Sequence, residues 1–359
     1  MSFWSKQPLK TLQNLDNFNS SKIEIIETNT TIFQQMLPSG FNFKTLTTKH
    51  LDEIHDLITN HYIEDENHIV KILYSRDFIY WYIKYIPNNF IIGLTYNDKL
   101  VGVVTALFID MIIYNEKLKI PYINFLCVQK KIRKLGLAIF LLNELKKRLS
   151  EIGIKYSLFT TMKNIPEHFT VSEEFVVPIN YSKLKNIGFL PETEQKNITN
   201  VSSNPLSLMI ESDIPSVTLK LNESWKNLQI KPFLTDISTR HFLLPKKNIV
   251  YTFVVRNGSI ITDMVSVYKT YIYSIDKKQI ISTAQLGFYY CKTMSLTQLI
   301  TYLIDKLKKY NFDQLIFKNA HQGLDINIDK FTTYGNLYYY LYNVTVPKTE
   351  VSKICMFPF

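Results

Sequence analysis

Residues 122–138 read YINFLCVQKKIRKLGLA, and the fold turns on how this stretch is divided. Tyr122 to Val128 is an apolar and aromatic run broken only by Asn124, which reads as a strand. Gln129 to Ala138 then places four cations, Lys130, Lys131, Arg133 and Lys134, around the small residues Gly136 and Ala138. Leu137 to Leu149 continues as an amphipathic helix that ends before Gly153. A strand, a basic turn and a helix start form a generic anion site, because free backbone N–H groups and the positive helix end both face the turn. Gly136 and Ala138 would let phosphate oxygens approach the backbone. The same residues also suit a plain solvated turn, and the turn alone leaves both readings open.

Working outward, Phe41 to Leu46 reads as a strand, followed by a helical face of Leu51, Ile54, Leu57 and Ile58. Strands at Phe90 to Thr95 and Lys99 to Asp110 meet at Asn97-Asp98. Met1 to Gly40 has no sustained helical period and reads as an arm. The polar stretch Pro191 to Pro205 is the best candidate linker. Beyond it the order partly repeats: a strand and helix from Leu206, paired strands Ile249 to Val255 and Ile260 to Tyr268 joined by Asn257-Gly258, then Gln285 to Tyr290. The capping box Ser295-x-x-Gln298 opens a helix with Leu296, Leu299, Ile300, Leu303, Ile304 and Leu307 at helical spacing. The expected organisation is an arm at 1–40, a first half at 41–190, a linker at 191–205 and a second half at 206–359. Between Tyr290 and Leu296 stand one Lys and no Gly, so only the first repeat is expected to bind a cofactor.

With 359 residues, 46% hydrophobic and 20% charged, the chain is a folded globular protein of two or three domains. Cys127, Cys291 and Cys355 are odd in number and far apart, which favours reduced thiols over a disulfide or metal site. No apolar run approaches the ~18 residues of a membrane span. The net charge of +10 favours anionic partners, leaving nucleic acid, a membrane surface and a phosphate-bearing cofactor open. Cations interspersed with acids, and the lack of any nucleic-acid-binding signature, count against nucleic acid.

The basic turn looks like the pyrophosphate loop of acetyltransferase-like (GNAT) acyl-CoA enzymes. More specifically, the chain resembles the N-myristoyltransferases, the glycylpeptide N-tetradecanoyltransferases. The resemblance runs nearly end to end, through Phe3-Trp4-x-x-Gln7-Pro8, Leu37-Pro38-x-Gly40-Phe41, Asn60-x-Tyr62-Ile63-Glu64-Asp65, Tyr74-Ser75 with Trp81, and Lys99-Leu100-Val101-Gly102. Ile123-Asn124-Phe125-Leu126-Cys127-Val128 and Gly335-Asn336-Leu337 with Tyr339-Tyr340-Leu341-Tyr342-Asn343 are its most specific motifs. It implies a mixed α/β chain, a duplicated GNAT-like fold with pseudo-twofold symmetry and a central mixed sheet. The Asn, Ile, Lys and Tyr bias points to a compact, AT-rich genome of the microsporidian kind.

The resemblance implies an enzyme that moves myristate from its CoA thioester to an N-terminal glycine amine. The oxyanion hole then falls on the backbone N–H groups of Phe125 and Leu126, and the base is the C-terminal carboxylate, here of Phe359. In water an α-carboxyl near ~3.5 is a poor base for an α-amine near ~7.8, so burial must narrow that gap. Thr160 and Asn124 match residues beside the incoming amine. Contacts with myristoyl-CoA, a substrate rather than a resident cofactor, carry over to Phe3, Trp4 and Lys6, to Cys127 and Val128, and to Arg133, Lys134, Leu135, Gly136, Leu137 and Ala138. Peptide contacts fall on Tyr62, Glu64, Asp65, Phe175, Gly287, Tyr334 and Gly335, with no metal. The implied partners are glycine peptides and nascent proteins met by a cytoplasmic monomer without a transmembrane segment.

This chain departs from the family pattern at several places. Asn67 stands for a third acid, Glu173 to Pro178 lack a His and a basic residue, Gly287 replaces a Ser, and Tyr334 an Asp. Pro358 fixes the penultimate φ. The expectation is relaxed peptide selectivity around an intact acyl-transfer core. Two rival readings are a GNAT enzyme with a different acyl group and a non-catalytic acyl-CoA and peptide binder.

Overall fold

The computed structural model describes residues 7–12, 18, 24–25, 36–62, 69–190, 201–320 and 332–358, without the side chains of Ile25, Thr332 and Tyr334. Short strands β1 (Lys10–Leu12) and β2 (Glu24–Ile25) precede β3 (Phe41–Thr45) and α1 (Leu51–His61). In α1 the buried Leu51, Ile54, Leu57 and Ile58 share one face, and Asp52 and Glu53 sit in the first turn, where the helix dipole favours acids. After β4 (Val70–Leu73) comes α2 (Arg76–Lys84), capped by the Ser75 hydroxyl, which accepts the Phe78 N–H.

Next are β5 (Ile91–Tyr96), β6 (Lys99–Ile113), β7 (Glu116–Val128), α3 (Leu137–Glu151) and β8 (Ser157–Thr161). Asn97 and Asp98 take φ of 46° and 63°, the left-handed pair that a two-residue hairpin turn needs. β7 begins at Glu116 rather than Tyr122, because the exposed Lys117 and Lys119 alternate with apolar neighbours and hide the strand from a count of apolar residues. β9 (Thr170–Pro178) and α4 (Tyr181–Asn186) lead into β10 (Ser207–Leu208), α5 (Ile214–Ser224), β11 (Ile230–Pro232) and α6 (Asp236–Leu243). Then come β12 (Val250–Asn257), β13 (Ile260–Ser274), β14 (Gln279–Tyr290), α7 (Leu296–Lys309), β15 (Gln314–Lys318), β16 (Thr332–Tyr342) and β17 (Val344–Pro347). The order strand, helix, strand, helix, three strands, helix, strand therefore occurs twice, from β3 to β8 and from β10 to β15.

The chain forms two compact units, the first of residues 1–63, 73–171 and 337–349, the second of 64–72, 172–336 and 350–359. In the first, the strands lie in the order β16, β8, β7, β6, β5, β3, antiparallel except for the parallel pair β7 and β8. A smaller sheet orders β1, β17, β2. In the second, the order is β10, β12, β13, β14, β15, β9, antiparallel except for β14 and β15. Each unit thus holds a mixed sheet with a parallel step beside its long central hairpin. In the second unit the α7 stripe Leu299, Leu303 and Leu307 is wholly buried in one cluster with Val265, Val267, Phe175 and Phe317. Each such leucine stabilises by about 1.5–3 kcal/mol. Among the described residues no helix is long and apolar enough to cross a membrane.

Candidate active site

The register of the β6–β7 hairpin shifts between Val103, opposite Cys127, and Thr105, opposite Asn124. Phe125 and Leu126 therefore bulge out of the ladder opposite Val104, and Phe125 takes a φ of 50°. A buried phenylalanine in the left-handed region costs on the order of 1–3 kcal/mol and persists only where its surroundings over-determine it. Here they do. The Phe125 ring is caged by Tyr62, Tyr74 and Tyr82, with centroids 5.5, 5.1 and 4.9 Å away. Its N–H donates to Asn124 Oδ1 at 2.8 Å, and the Tyr62 hydroxyl donates to the same oxygen at 3.2 Å. Thr105 anchors the Asn124 carbonyl at 2.9 Å, and Tyr122 meets Thr160 hydroxyl to hydroxyl at 3.3 Å.

Asn124, Phe125, Thr160 and Tyr62 are thus gathered in one cluster, together with Thr105, Tyr82 and Tyr122. None of its groups ionises near neutral pH. Burial pushes the Tyr122 hydroxyl up to about 12, against the lowering contact with Thr160. It also pushes Tyr62 and Tyr82 well above the usual phenol range. The cluster is a set of neutral donors and acceptors around a strained backbone donor, suited to steadying a charge and lacking a group to move a proton at pH 7.

Beyond Val128 the chain makes a 3₁₀ turn over Lys130–Leu135, and Gly136 enters α3 with a φ of 69°. A Cβ at Gly136 would meet nothing within 4 Å, so the glycine is required by its backbone angle rather than by crowding. Lys130, Lys131, Arg133 and Lys134 are exposed, and Leu135 is 57% exposed. Arg133 turns back, its Nε donating to the Val128 carbonyl at 3.1 Å and a terminal N–H to the His61 carbonyl. Leu137 and Val128 are buried and Ala138 is half-buried. Cys127 is buried too, and burial pushes its thiol up to about 12 despite Arg133 and Lys130, so it is a packing residue and not a nucleophile.

The second unit holds the tail. Its backbone is pinned where Gln229 donates to the Lys353 carbonyl at 2.7 Å and Cys355 donates to the Ile230 carbonyl at 2.8 Å. Ile354, Cys355, Met356 and Phe357 are at most 5% exposed, and Phe357 packs on Phe242 and Phe288 at 4.8 and 5.2 Å. The apolar tail from Ile354 to Phe357 is therefore packed into the second unit.

Residues 22–172 match the N-terminal domain of myristoyl-CoA:protein N-myristoyltransferase, and residues 179–354 match its C-terminal domain. The chain belongs to the N-myristoyltransferase family. A glycylpeptide N-tetradecanoyltransferase of Acanthamoeba polyphaga mimivirus is 52% identical over 97% of this chain and 100% of its own length. That of Plasmodium falciparum is 28% identical over 98% of this chain and 92% of its own. Saccharomyces cerevisiae N-myristoyltransferase, solved with bound myristoyl-CoA, shares the fold at a TM-score of 0.83, with 20% identity over 97% of this chain and 93% of the yeast chain. The protein is therefore an acyltransferase that moves myristate from myristoyl-CoA to the N-terminal glycine of proteins.

Other residues expected at an N-myristoyltransferase site are spread more widely. Phe175 is buried in the core of the second unit, stacked on Phe317 at 5.4 Å. Gly287 lies on a bulge of β14, where an added Cβ would fall 2.5 Å from Ser266 Oγ and 2.8 Å from the Tyr268 ring, so a serine there would displace these side chains. Gly335 is half-buried in β16. Phe3, Trp4, Lys6, Glu64, Asp65, Asn67 and Phe359, and the side chain of Tyr334, lie outside the described residues. Sequence reasoning missed Thr105, Tyr82 and Tyr122. Only Tyr122, adjoining the Ile123 motif, carried a signal that could have found it.

Proposed function

We propose that the β7–α3 segment of the first unit holds myristoyl-CoA and the transition state, and that the C-terminal carboxylate of Phe359 serves as the base. The observation that carries this reading is a strained backbone donor ringed by neutral hydroxyls and an amide, one strand-end away from an exposed basic helix start. Lys130, Lys131 and Lys134 with the α3 N-terminus would take the phosphates. The N–H of Leu126, and that of Phe125 once it turns from Asn124 Oδ1, would take the thioester oxygen as it gains charge, which for one such donor is worth about 2.7–4 kcal/mol.

The missing base is what the tail supplies. The carboxylate takes a proton from the glycine ammonium, which Thr160 and Asn124 orient. The neutral amine then attacks the thioester carbon, the C–S bond breaks, and the nitrogen gives up a second proton, which the departing CoA thiolate takes to leave as the thiol, while the first proton returns from the carboxyl to water. Burial helps twice, raising the carboxyl and lowering the amine. Phe3, Trp4 and Lys6 would contact the nucleotide end, while Tyr62, Glu64, Asp65, Gly287, Tyr334 and Gly335 would border the peptide; Phe175, packed in the core against Phe317, does not reach it. The arm, halves and linker at 1–40, 41–190, 191–205 and 206–359 are the proposed domains, and the working state is a cytoplasmic monomer acting on nascent chains.

The test is single-turnover CoA release from myristoyl-CoA with a glycine octapeptide, beside a chain extended by a few residues after Phe359. Turnover by the native chain and its loss on extension is the expected result. Binding of myristoyl-CoA without release by either chain would mean a binder instead, and equal turnover with acetyl-CoA a different acyl specificity. In the peptide panel, Ser-containing and Ser→Ala peptides should turn over alike; abolition by Ser→Ala would refute relaxed selectivity.

A further inference from the structure

In the second unit, Lys318 is a cation with almost no access to water, 7% exposed at the end of β15. Its direct cross-strand neighbour in β9 is Glu174, and the two side chains form an ion pair at 3.3 Å with 8% and 14% exposure. Lys318 Nζ also donates to the Pro358 carbonyl at 3.0 Å, in a buried contact. A buried ammonium is costly unless paired and hydrogen-bonded, so these two acceptors fix where it can be.

The second acceptor is the informative one. Proline has no N–H, so its carbonyl is the one backbone handle by which that residue can be held. Upstream the tail is held by the Lys353 and Cys355 contacts and by the Phe357 ring. Among the described residues Lys318 is the anchor nearest the terminus, and the carboxylate of Phe359 is three covalent bonds beyond the carbonyl it grips. Glu174 cancels the charge that would otherwise bind the carboxylate too firmly in its ionised form and weaken it as a base.

We propose that Lys318 is a positioning residue for the terminal carboxylate, acting through the Pro358 carbonyl, with Glu174 as its counter-ion. This rests on the reading of that carboxylate as the base. Pro358 is thereby accommodated, because the grip is on its carbonyl and needs no donor from it.

The experiment measures single-turnover CoA release against pH in the full chain, with myristoyl-CoA affinity and thermal melting alongside. Lys318→Met should slow acyl transfer up to about 100-fold, the scale of a 1 Å misplacement, with myristoyl-CoA affinity unchanged. Lys318→Arg, which keeps a charged donor, should recover most of the rate. The acid limb of the pH profile should move up in Lys318→Met and down in Glu174→Gln, opposite shifts that a merely structural pair would not give. Because Lys318→Met strands Glu174 in the interior, the double variant Lys318→Met with Glu174→Met is run as well, and should fold and remain slow. A native rate and profile in the double variant, with the chain extended after Phe359 inactive, would overturn the role of Lys318 alone. An active extended chain would instead overturn the terminal carboxylate as base, and this inference with it.

Discussion

The two units carry the same junction, a long hairpin bulge followed by a helix, and they have treated it in opposite ways. In the first, Gly102 is the residue just past the shift that pairs β6 with β5. In the second, Asp263 holds that register place in β13. The Asp263 side chain is buried and accepts the N–H groups of Lys292 and Thr293 at 2.8 and 3.0 Å and the Thr293 hydroxyl. Those are the donors that precede α7, so the second junction has its anion built in. Its bulge donor, the Phe288 N–H, is held at 2.8 Å by Ser266 Oγ, an acceptor with no access to water. The first unit has a glycine in place of the acid, four cations on the turn, and a bulge donor held by the side chain of a half-buried Asn124. A carboxylate of the chain itself thus occupies the donors before the second helix, where the first turn carries cations instead.

The largest expected effect breaks the comparison at the bulges. Asn124→Ala should cost acyl transfer about 2.7–4 kcal/mol, read as kcat/KM, since it disturbs the donor beside the reacting carbonyl. Ser266→Ala, its counterpart in the second unit, should leave turnover per folded molecule unchanged and lower the melting temperature. At the turns, Lys134→Glu should weaken myristoyl-CoA binding by about 1.5–3 kcal/mol, the worth of a charge-assisted contact, and less so in high salt. Lys292→Glu at the second turn should not change it.

Asp263 gives a stability prediction with a definite sign. Burial pushes its carboxyl up, but the Thr293 hydroxyl and the N–H groups of Lys292 and Thr293 outweigh burial and hold it below the usual carboxylate range. A depressed folded value means the stabilisation is present above the unfolded value of about 3.9 and lost as pH falls through the folded one. Asp263→Asn should cost about 1–3 kcal/mol at pH 7 by urea unfolding, and that difference should shrink in acid. The smallest effect is Tyr62→Phe, which removes one donor to Asn124 and should cost about 0.5–1.5 kcal/mol in kcat/KM.

Local signals carried much of this from the residues alone. The Asn97-Asp98 and Asn257-Gly258 turns, the α7 capping box and the basic turn before α3 are written in neighbouring positions, and the structure has them there. What escaped notice depends on distant partners. α2 is the aromatic run Arg76–Lys84, whose strand-like composition is overridden by the Ser75 cap and by packing. Asp263 meets its donors about thirty positions away, and Lys318 finds Glu174 only because β9 and β15 pair. Gly287 read as a lost serine, and the Ser266 hydroxyl and the Tyr268 ring beside it explain the glycine.

The most direct test of one open and one sealed junction is calorimetric titration of the full chain with myristoyl-CoA. The expected result is one site per chain, weakened by Lys134→Glu and indifferent to Lys292→Glu. Two sites, or one site weakened by Lys292→Glu and not by Lys134→Glu, would contradict it.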